Sequence, residues 1–323
     1  MNLQRAQKTA MAAFGALGLI WGSNFIFMKW ASETITAGQI TFLRVACGFL
    51  PVLAYALIRR DIKLSHLRHI HHFVVMSVLA TSAYFFAFAS GTALLPSGIA
   101  GALSGAIPLF TFLAAAVFLR SERITALRIL GVVAGFAGVL LIARPWNAAG
   151  SVDPAGVSFM LLGSASVGLS FVYARKFLVG LSIPAAALTT YQMGLALLTL
   201  AVVTDFNGIT AIGGDLRALV AMVLGLGLLG TGTAYILYYF IVDRLGAIMA
   251  SSATYIPPVV ALAIGWLLVG EPIDALHGIA VLLILAGVVA LRPQKVSSPV
   301  PPAATPGSAP GGTDARGPEG HAV

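Results

Sequence analysis

Ten apolar runs separated by short polar or charged breaks dominate this chain. They fall at about 10–30, 37–58, 71–91, 97–119, 126–143, 155–174, 183–204, 217–240, 246–269 and 275–291. A bilayer core of about 30 Å is crossed by roughly 20 helical residues. Hydrocarbon offers no water to satisfy backbone N–H and C=O groups, so such runs cross as helices. Composition agrees: 59% of the 323 residues are hydrophobic and 9% are charged, where a soluble domain carries about 25% charged residues. The expected fold is therefore an all-α membrane protein of ten transmembrane helices around a central cavity. Runs that are short or broken by Gly and Pro are expected where helices line a cavity. Residues 1–9 precede the first run, and residues 293–323 are a Pro-, Gly-, Ala- and Ser-rich tail. The tail has no apolar face to pack and is expected to be disordered.

The basic residues orient these runs. With a cytoplasmic N-terminus, the inner segments hold Arg5, Lys8, Arg59, Arg60, Lys63, Arg68, Arg120, Arg123, Arg128, Arg175, Lys176, Arg244, Arg292, Lys295 and Arg316. The outer segments hold Lys29, Arg144 and Arg217, and Arg44 lies inside the second run. The positive-inside rule then places both termini in the cytoplasm. The net charge of +8 is dispersed in clusters between runs rather than gathered in one patch, so no nucleic-acid partner is expected. Arg5, Lys8 and the stretch Ala10–Ile20 have the look of a secretory leader. The apolar run continues to Trp30, so it reads as a retained first helix. The one cysteine, Cys47, allows no internal disulfide.

The two halves echo each other. Pro108 and Pro257 differ by 149 positions, as do Glu122 and Glu271, and Gly138 and Gly287. Phe25 and Phe171, and Lys29 and Arg175, differ by 146; Thr41 and Thr189 differ by 148. A near-constant offset points to duplication, with repeats at 10–145 and 154–292. Each holds five runs, an odd number, so the second copy enters the membrane from the opposite side. Inverted repeats of this kind are a device of secondary transporters, with the substrate site between the halves.

These residues carry a resemblance. The string "WGSNFIFMKWASETITAGQITFLRVACGFL" resembles the opening of the EamA repeat of the drug/metabolite transporter superfamily, with its Trp-Gly-Ser-Asn, a following Lys and an Arg in the second helix. Pro108 followed by Glu122, and Pro257 followed by Gly270-Glu271, are similar to the fourth-helix ends of that repeat. The resemblance covers roughly residues 10–292. It departs at Arg120-Ser121-Glu122, where the family usually shows Gly-Glu, and at Gly168-Leu169-Ser170, which stands opposite Gly22-Ser23-Asn24. It implies a ten-helix exporter of amino acids or other small metabolites in a bacterial inner membrane.

Polar residues within the runs are the candidate substrate contacts. Gly15, Gly18 and Gly22 share one stripe of the first helix; Leu17, Trp21, Asn24 and Met28 share the next. The glycines admit a close neighbour, which turns Asn24 toward the bundle interior, as a substrate ligand or as interhelical packing. Its repeat mate is Ser170. Arg44 lies about seven residues into the second run, roughly 10 Å below its outer end. A charge at mid-membrane costs about 2.5–3.5 kcal/mol on the insertion scale. Arg44 either holds an anionic substrate group or ties its helix to carbonyls or headgroups at the rim; its mate is Gln192. Pro108, Pro257 and Pro258 interrupt equivalent helices and free backbone carbonyls, marking hinges or plain kinks. Ser104 and Thr111 flank the first break; Ser251, Ser252, Thr254 and Tyr255 precede the second. In "GLGLLGTGTAYILYY", Tyr235 is a candidate contact, as is Tyr84 in the equivalent helix, while Tyr238 and Tyr239 suit interface anchors.

Other signals are weaker. His66, His69, His71 and His72 lie in a basic loop with only Asp61 near, so neither a metal nor a cofactor is expected. Glu122 and Glu271 precede the fifth and tenth runs, where an acid suits a helix N-terminus. A membrane enzyme would need Ser and His, or clustered metal ligands, at depth; a channel or lipid scramblase remains the alternative to a saturable carrier. Every Asp and Glu lies toward a run end or outside the runs. The expected partners are the lipid bilayer and a small-molecule substrate, moved by facilitated alternating access or by coupling through groups nearer the surface.

Overall fold

The computed structural model describes residues 2–119, 125–144, 152–245, 253–272 and 274–290, with side chains from Lys8 onward. The described residues contain no strand. Eight helices are long and apolar enough to cross a membrane: α1 (Asn2–Ser32), α2 (Ala37–Ile58), α3 (Leu64–Leu94), α4 (Ser97–Phe118), α5 (Ala126–Ala143), α6 (Pro154–Phe177), α7 (Ala185–Val203) and α8 (Leu216–Leu245). Two shorter apolar helices follow, α9 (Ala253–Val269) and α10 (Ala275–Ala290). These ten elements match the ten apolar runs to within a few residues, apart from an earlier start of α1 and α3. Residues 246–252, where the ninth run begins, lie outside the described residues, as do Ser251, Ser252, Glu122 and the tail.

Large apolar side chains such as Leu19, Leu50, Val202 and Leu267 stand on the outer faces. That is the surface of a chain solvated by lipid rather than water. Inside, small residues set the packing. On α5, a Cβ added to Gly131 would meet the Gly287 carbonyl of α10, and one added to Gly138 would meet the Ala280 carbonyl. Residue numbers rise on one helix as they fall on the other, so α5 and α10 run antiparallel. The same holds for α4 and α9, where Gly101 faces Ala261 and Gly105 faces Pro258. In lipid, helix association depends on such close van der Waals contact.

Contacts in one half recur in the other. Gly22 of α1 packs on Val260 and the Pro257 carbonyl of α9, and Gly168 of α6 packs on Phe110 and Thr111 of α4. Helix α4 tightens to a 3-10 turn at Ser104–Ala106, and α9 opens with one at Ala253–Tyr255, again 149 positions apart. Pro108 and Pro257 follow these turns at the second and first residues of the next α-helical stretch.

Helices α3 and α8 each contain π-helical winding, at Val78–Ser82 and Ala221–Thr233. In α8 the glycines face close neighbours. A Cβ would strike Phe27 from Gly225, Cys47 from Gly227, Asn24 from Gly230 and Pro51 from Gly232. Helices α1 and α2 therefore sit against the α8 backbone. Gly15 is different: no described residue lies within 4 Å of its would-be Cβ, so among the described residues the glycine stripe of α1 acts through Gly18 and Gly22.

Candidate functional site

A cavity of about 350 Å³ lies within the bundle. Its lining comes from α1–α4 on one side and α6, α8 and α9 on the other. Asn24, Arg44, Tyr84, Ser104, Ser170, Tyr235 and Pro257 are brought together there. Gln192 is buried in α7, but α7 contributes nothing to the lining. Tyr255, Pro108 and Pro258 are also outside the lining. The sequence reading of Gln192 as an equivalent of Arg44 thus does not carry into the cavity. Of the α1 stripe, Trp21 and Met28 line the cavity with Asn24, whereas Leu17 packs against Ala234 and Ile241. Thr111, Thr254 and Tyr238 line it as well, with the apolar residues Phe25, Phe88, Val167 and Phe171. The apolar members could not be told from lipid-facing ones in the sequence.

Arg44 has the most constrained environment. Its residue surface is 3% exposed. Nε donates to Thr231 Oγ1 at 3.0 Å, and Nη1 lies 3.7 Å from Met28 Sδ. The guanidinium carbon stands 4.1 Å from the centre of the Phe85 ring, a cation–π distance. Thr231 Oγ1 in turn donates to the Leu226 carbonyl at 2.9 Å, taking up a backbone acceptor in the π-helical stretch. Asn24 admits two amide orientations. In one, Nδ2 is 3.4 Å from the Gly230 carbonyl. In the other, Nδ2 donates to the Ile20 carbonyl at 3.2 Å and Oδ1 accepts from Arg44 Nη2 at 3.1 Å. We assign the second, because it gives a buried cation an acceptor.

Ion pairs among the described residues lie at the bundle ends: Arg59–Asp61, Arg144–Asp274, Arg217–Glu33 and His277–Asp274. None includes Arg44. One N–H on each terminal nitrogen of its guanidinium has no protein partner among the described residues. Among the described residues no Asp or Glu lines the cavity.

The end of the bundle where α1 finishes is tied across the two halves. Glu271 Oε1 accepts from Ser97 N–H and Ser97 O–H, both at 2.6 Å, and Oε2 accepts from Gly98 N–H at 2.8 Å. Glu271 therefore caps α4, and not the tenth helix that follows it. The N-terminus of α10 is served by Asp274, whose carboxylate accepts from His277 N–H at 3.2 Å. The αL conformation of Gly270, φ 70°, turns the chain and lets the Gly265 carbonyl accept from Glu271 N–H at 2.9 Å. Nearby, Arg144 Nη2 donates to Asp274 at 2.6 Å and Gln39 donates to the carbonyls of Asp205 and Asn207, both at 2.8 Å. From Gly98 to Gly105, α4 lies tight on α9; beyond that, Ile107, Thr111, Thr254 and Pro257 line the cavity instead.

The four histidines expected in a loop lie instead in the first turns of α3, Leu64–His69 being 3-10 and Ile70–Ser77 α-helical. His72 Nδ1 is 2.8 Å from Tyr173 Oη, and Arg68 donates to His69. Among the described residues no group of three His, Cys, Asp or Glu side chains could hold a metal.

Comparison with known proteins decides the family. The EamA-like transporter family matches twice, over residues 8–144 and 154–292. The chain belongs to the EamA-like transporter family. Among its relatives is the uncharacterized inner membrane transporter YedA of Escherichia coli K12, 26% identical over 302 residues, covering 91% of this chain and 94% of YedA. An uncharacterized transporter of Archaeoglobus fulgidus is 25% identical and covers 78% of this chain and 87% of the relative. The uncharacterized transporter YoaV of Bacillus subtilis is 24% identical, covering 84% of this chain and 92% of YoaV. A protein of known crystal structure aligns with a TM-score of 0.57 at 20% identity, over 88% of this chain and 96% of that one; it supports the fold. This EamA-like chain is accordingly a multi-pass membrane protein of a transporter family.

Proposed function

We propose that the protein is a secondary transporter that exports small amphipathic metabolites, amino acids and related carboxylates among them, by alternating access. The observation that carries this reading is the cavity lined from both halves, with α4 and α9 packed tightly and tied through Glu271 toward one end of the bundle. Alternating access requires two halves that can exchange which end is closed. Inverted repeats supply them, and two features support that arrangement here: α9 and α10 run antiparallel to their mates α4 and α5, and the 3-10 turns recur at the same offset. The charge distribution supports cytoplasmic termini in a bacterial inner membrane, which puts the Glu271 end outside. Pro108, Pro257 and Pro258, beside the 3-10 turns, are the proposed hinges, and Asn24, Arg44, Tyr84, Ser104, Ser170 and Tyr235 the proposed substrate contacts.

The test is counterflow in proteoliposomes. Vesicles loaded with an unlabelled metabolite panel should accumulate the labelled transported compound transiently and saturably. Flux that rises linearly without saturation would favour a channel or scramblase. No flux across a broad panel of carboxylates would defeat the reading.

A further inference from the structure

We infer that the cavity selects organic monoanions, a carboxylate on an apolar body without an ammonium group, over the corresponding zwitterionic amino acids. The inference rests on the cavity being the substrate site and narrows its ligand class. It starts from the charge inventory. Among the described residues the one ionised side chain lining the cavity is Arg44, and none of the lining residues is acidic. The sequence pattern agrees. The acids are Glu33, Asp61, Glu122, Asp153, Asp205, Asp215, Asp243, Glu271, Asp274, Asp314 and Glu319, each toward a span end, in a connection or in the tail. A buried cation without a counter-ion is unfavourable unless an anion joins it.

Arg44 is held for that role. Thr231, Asn24 and the Phe85 face fix the guanidinium, while one N–H of each terminal nitrogen keeps its donor capacity. Donor capacity on both terminal nitrogens suits a carboxylate. The rest of the wall is mostly apolar and aromatic, with Trp21, Phe25, Phe88 and Phe171 around the tyrosines. Such a wall receives a hydrocarbon or aromatic body. An α-ammonium would enter next to the guanidinium and lose its water without gaining a carboxylate. The aromatic faces can return part of that cost through cation–π contact, about 0.5–2 kcal/mol, against repulsion from Arg44 in a medium of low dielectric. At about 350 Å³ the cavity is near the small end of ligand pockets, so the body is that of a small metabolite.

The experiment compares 3-phenylpropanoate, phenylalanine and 2-phenylethylamine on the purified full chain by titration calorimetry. The three share one aromatic body and differ in charge. We expect 3-phenylpropanoate to bind at least tenfold tighter than phenylalanine, and the amine weakest. Arg44→Gln should lower affinity for 3-phenylpropanoate roughly tenfold to a hundredfold and abolish the preference over phenylalanine. If Arg44→Gln fails to fold, Asn24→Asp serves independently. It places a carboxylate where Oδ1 now meets the guanidinium, neutralises the site, and should reverse the order in favour of the amine. Phenylalanine binding as tightly as 3-phenylpropanoate, no binding of 3-phenylpropanoate, or an Asn24→Asp variant with unchanged order would each overturn the inference. Selective binding without counterflow of the same compound would leave this site standing and count against the transporter reading.

Discussion

Removing the carboxylate of Glu271 should loosen the end of the bundle where α4 begins. Three donors converge on it: Ser97 N–H and O–H at 2.6 Å, and Gly98 N–H at 2.8 Å. The two N–H groups are orphans of the first helical turn and have no intrahelical acceptor. Loss of an N-cap costs about 0.5–2 kcal/mol, and bonds to a charged acceptor are worth about 1.5–3 kcal/mol each when buried. Glu271 is only partly buried, so water replaces part of what is lost. A net cost of about 1–2 kcal/mol follows, or a fall in melting temperature of roughly 1.5–3 °C for a chain of this size. Glu271→Gln should lose nearly as much as Glu271→Ala, because an amide nitrogen would face the Gly98 N–H. Gly265→Ala offers a route that leaves the charge alone: its new Cβ would land on Glu271 Oε2, lifting the carboxylate from Gly98. Glu33→Gln is the control. Its pair with Arg217 is about half exposed on both sides, and such pairs contribute at most about 1 kcal/mol. Thermal unfolding in detergent, followed by fluorescence, measures all four variants. Glu271→Gln and Gly265→Ala melting with the unsubstituted protein, or no earlier than Glu33→Gln, would refute the cap as a structural tie.

Three further outcomes are expected. In a Cys47→Ser background, a membrane-impermeant thiol reagent applied to intact cells should label Thr210→Cys in the loop after α7 and spare Ser65→Cys at the start of α3; the reverse pattern would invert the assigned orientation. Asp274 is held down to about 2, first by its hydrogen bond to Arg144 and then by His277, below the usual 3.8. A carboxylate with a lowered folded value stabilises above its unfolded pKa and loses that contribution as pH falls through the folded one. The small stability gap between the unsubstituted protein and Asp274→Asn should therefore be constant above about pH 4 and close toward pH 2; a gap that widens on acidification would contradict the Arg144 pair. Truncation after Lys295 should leave counterflow unchanged at equal expression, since the removed segment has no apolar face; loss of flux would assign the tail a role in transport.

The helices were legible because each is an apolar run of nearly bilayer length, a signal that survives without any knowledge of partners. The interior polar residues were legible for a related reason: Asn24 and Arg44 are costly against lipid, so their presence alone turns them inward. What the sequence concealed was long-range. Glu271 reads as the start of the helix that follows it, yet its donors lie 174 and 173 positions away, and no local pattern names them. The π-helical stretch of α8 has no periodic signature either. Its glycines marked close approach, but which side chains approach, Phe27, Cys47 and Asn24, is decided by packing.

Gln192 shows how far repeat logic reaches. Duplication predicts equivalent positions, and Arg44 and Gln192 are both buried. Yet α2 reaches the cavity through Arg44 and α7 does not reach it at all. The second polar pair is uneven too, with Asn24 bound to the guanidinium while Ser170 Oγ donates to its own helix at the Val167 carbonyl. Among the described lining residues the one charge thus lies on the first half, and the second half contributes Val167, Phe171 and Pro257 beside the hydroxyls of Ser170, Tyr235, Tyr238 and Thr254. On the proposed reading, a lining charged on one side would orient a carboxylate ligand with its anionic end toward α2 and its apolar body toward α6 and α8. Because Arg44 belongs to one half only, rocking of that half would carry the carboxylate with it while the contacts on the body change. Substitutions at Phe171 or Tyr238 should therefore alter which bodies are accepted, and substitutions at Arg44 whether any anion is held.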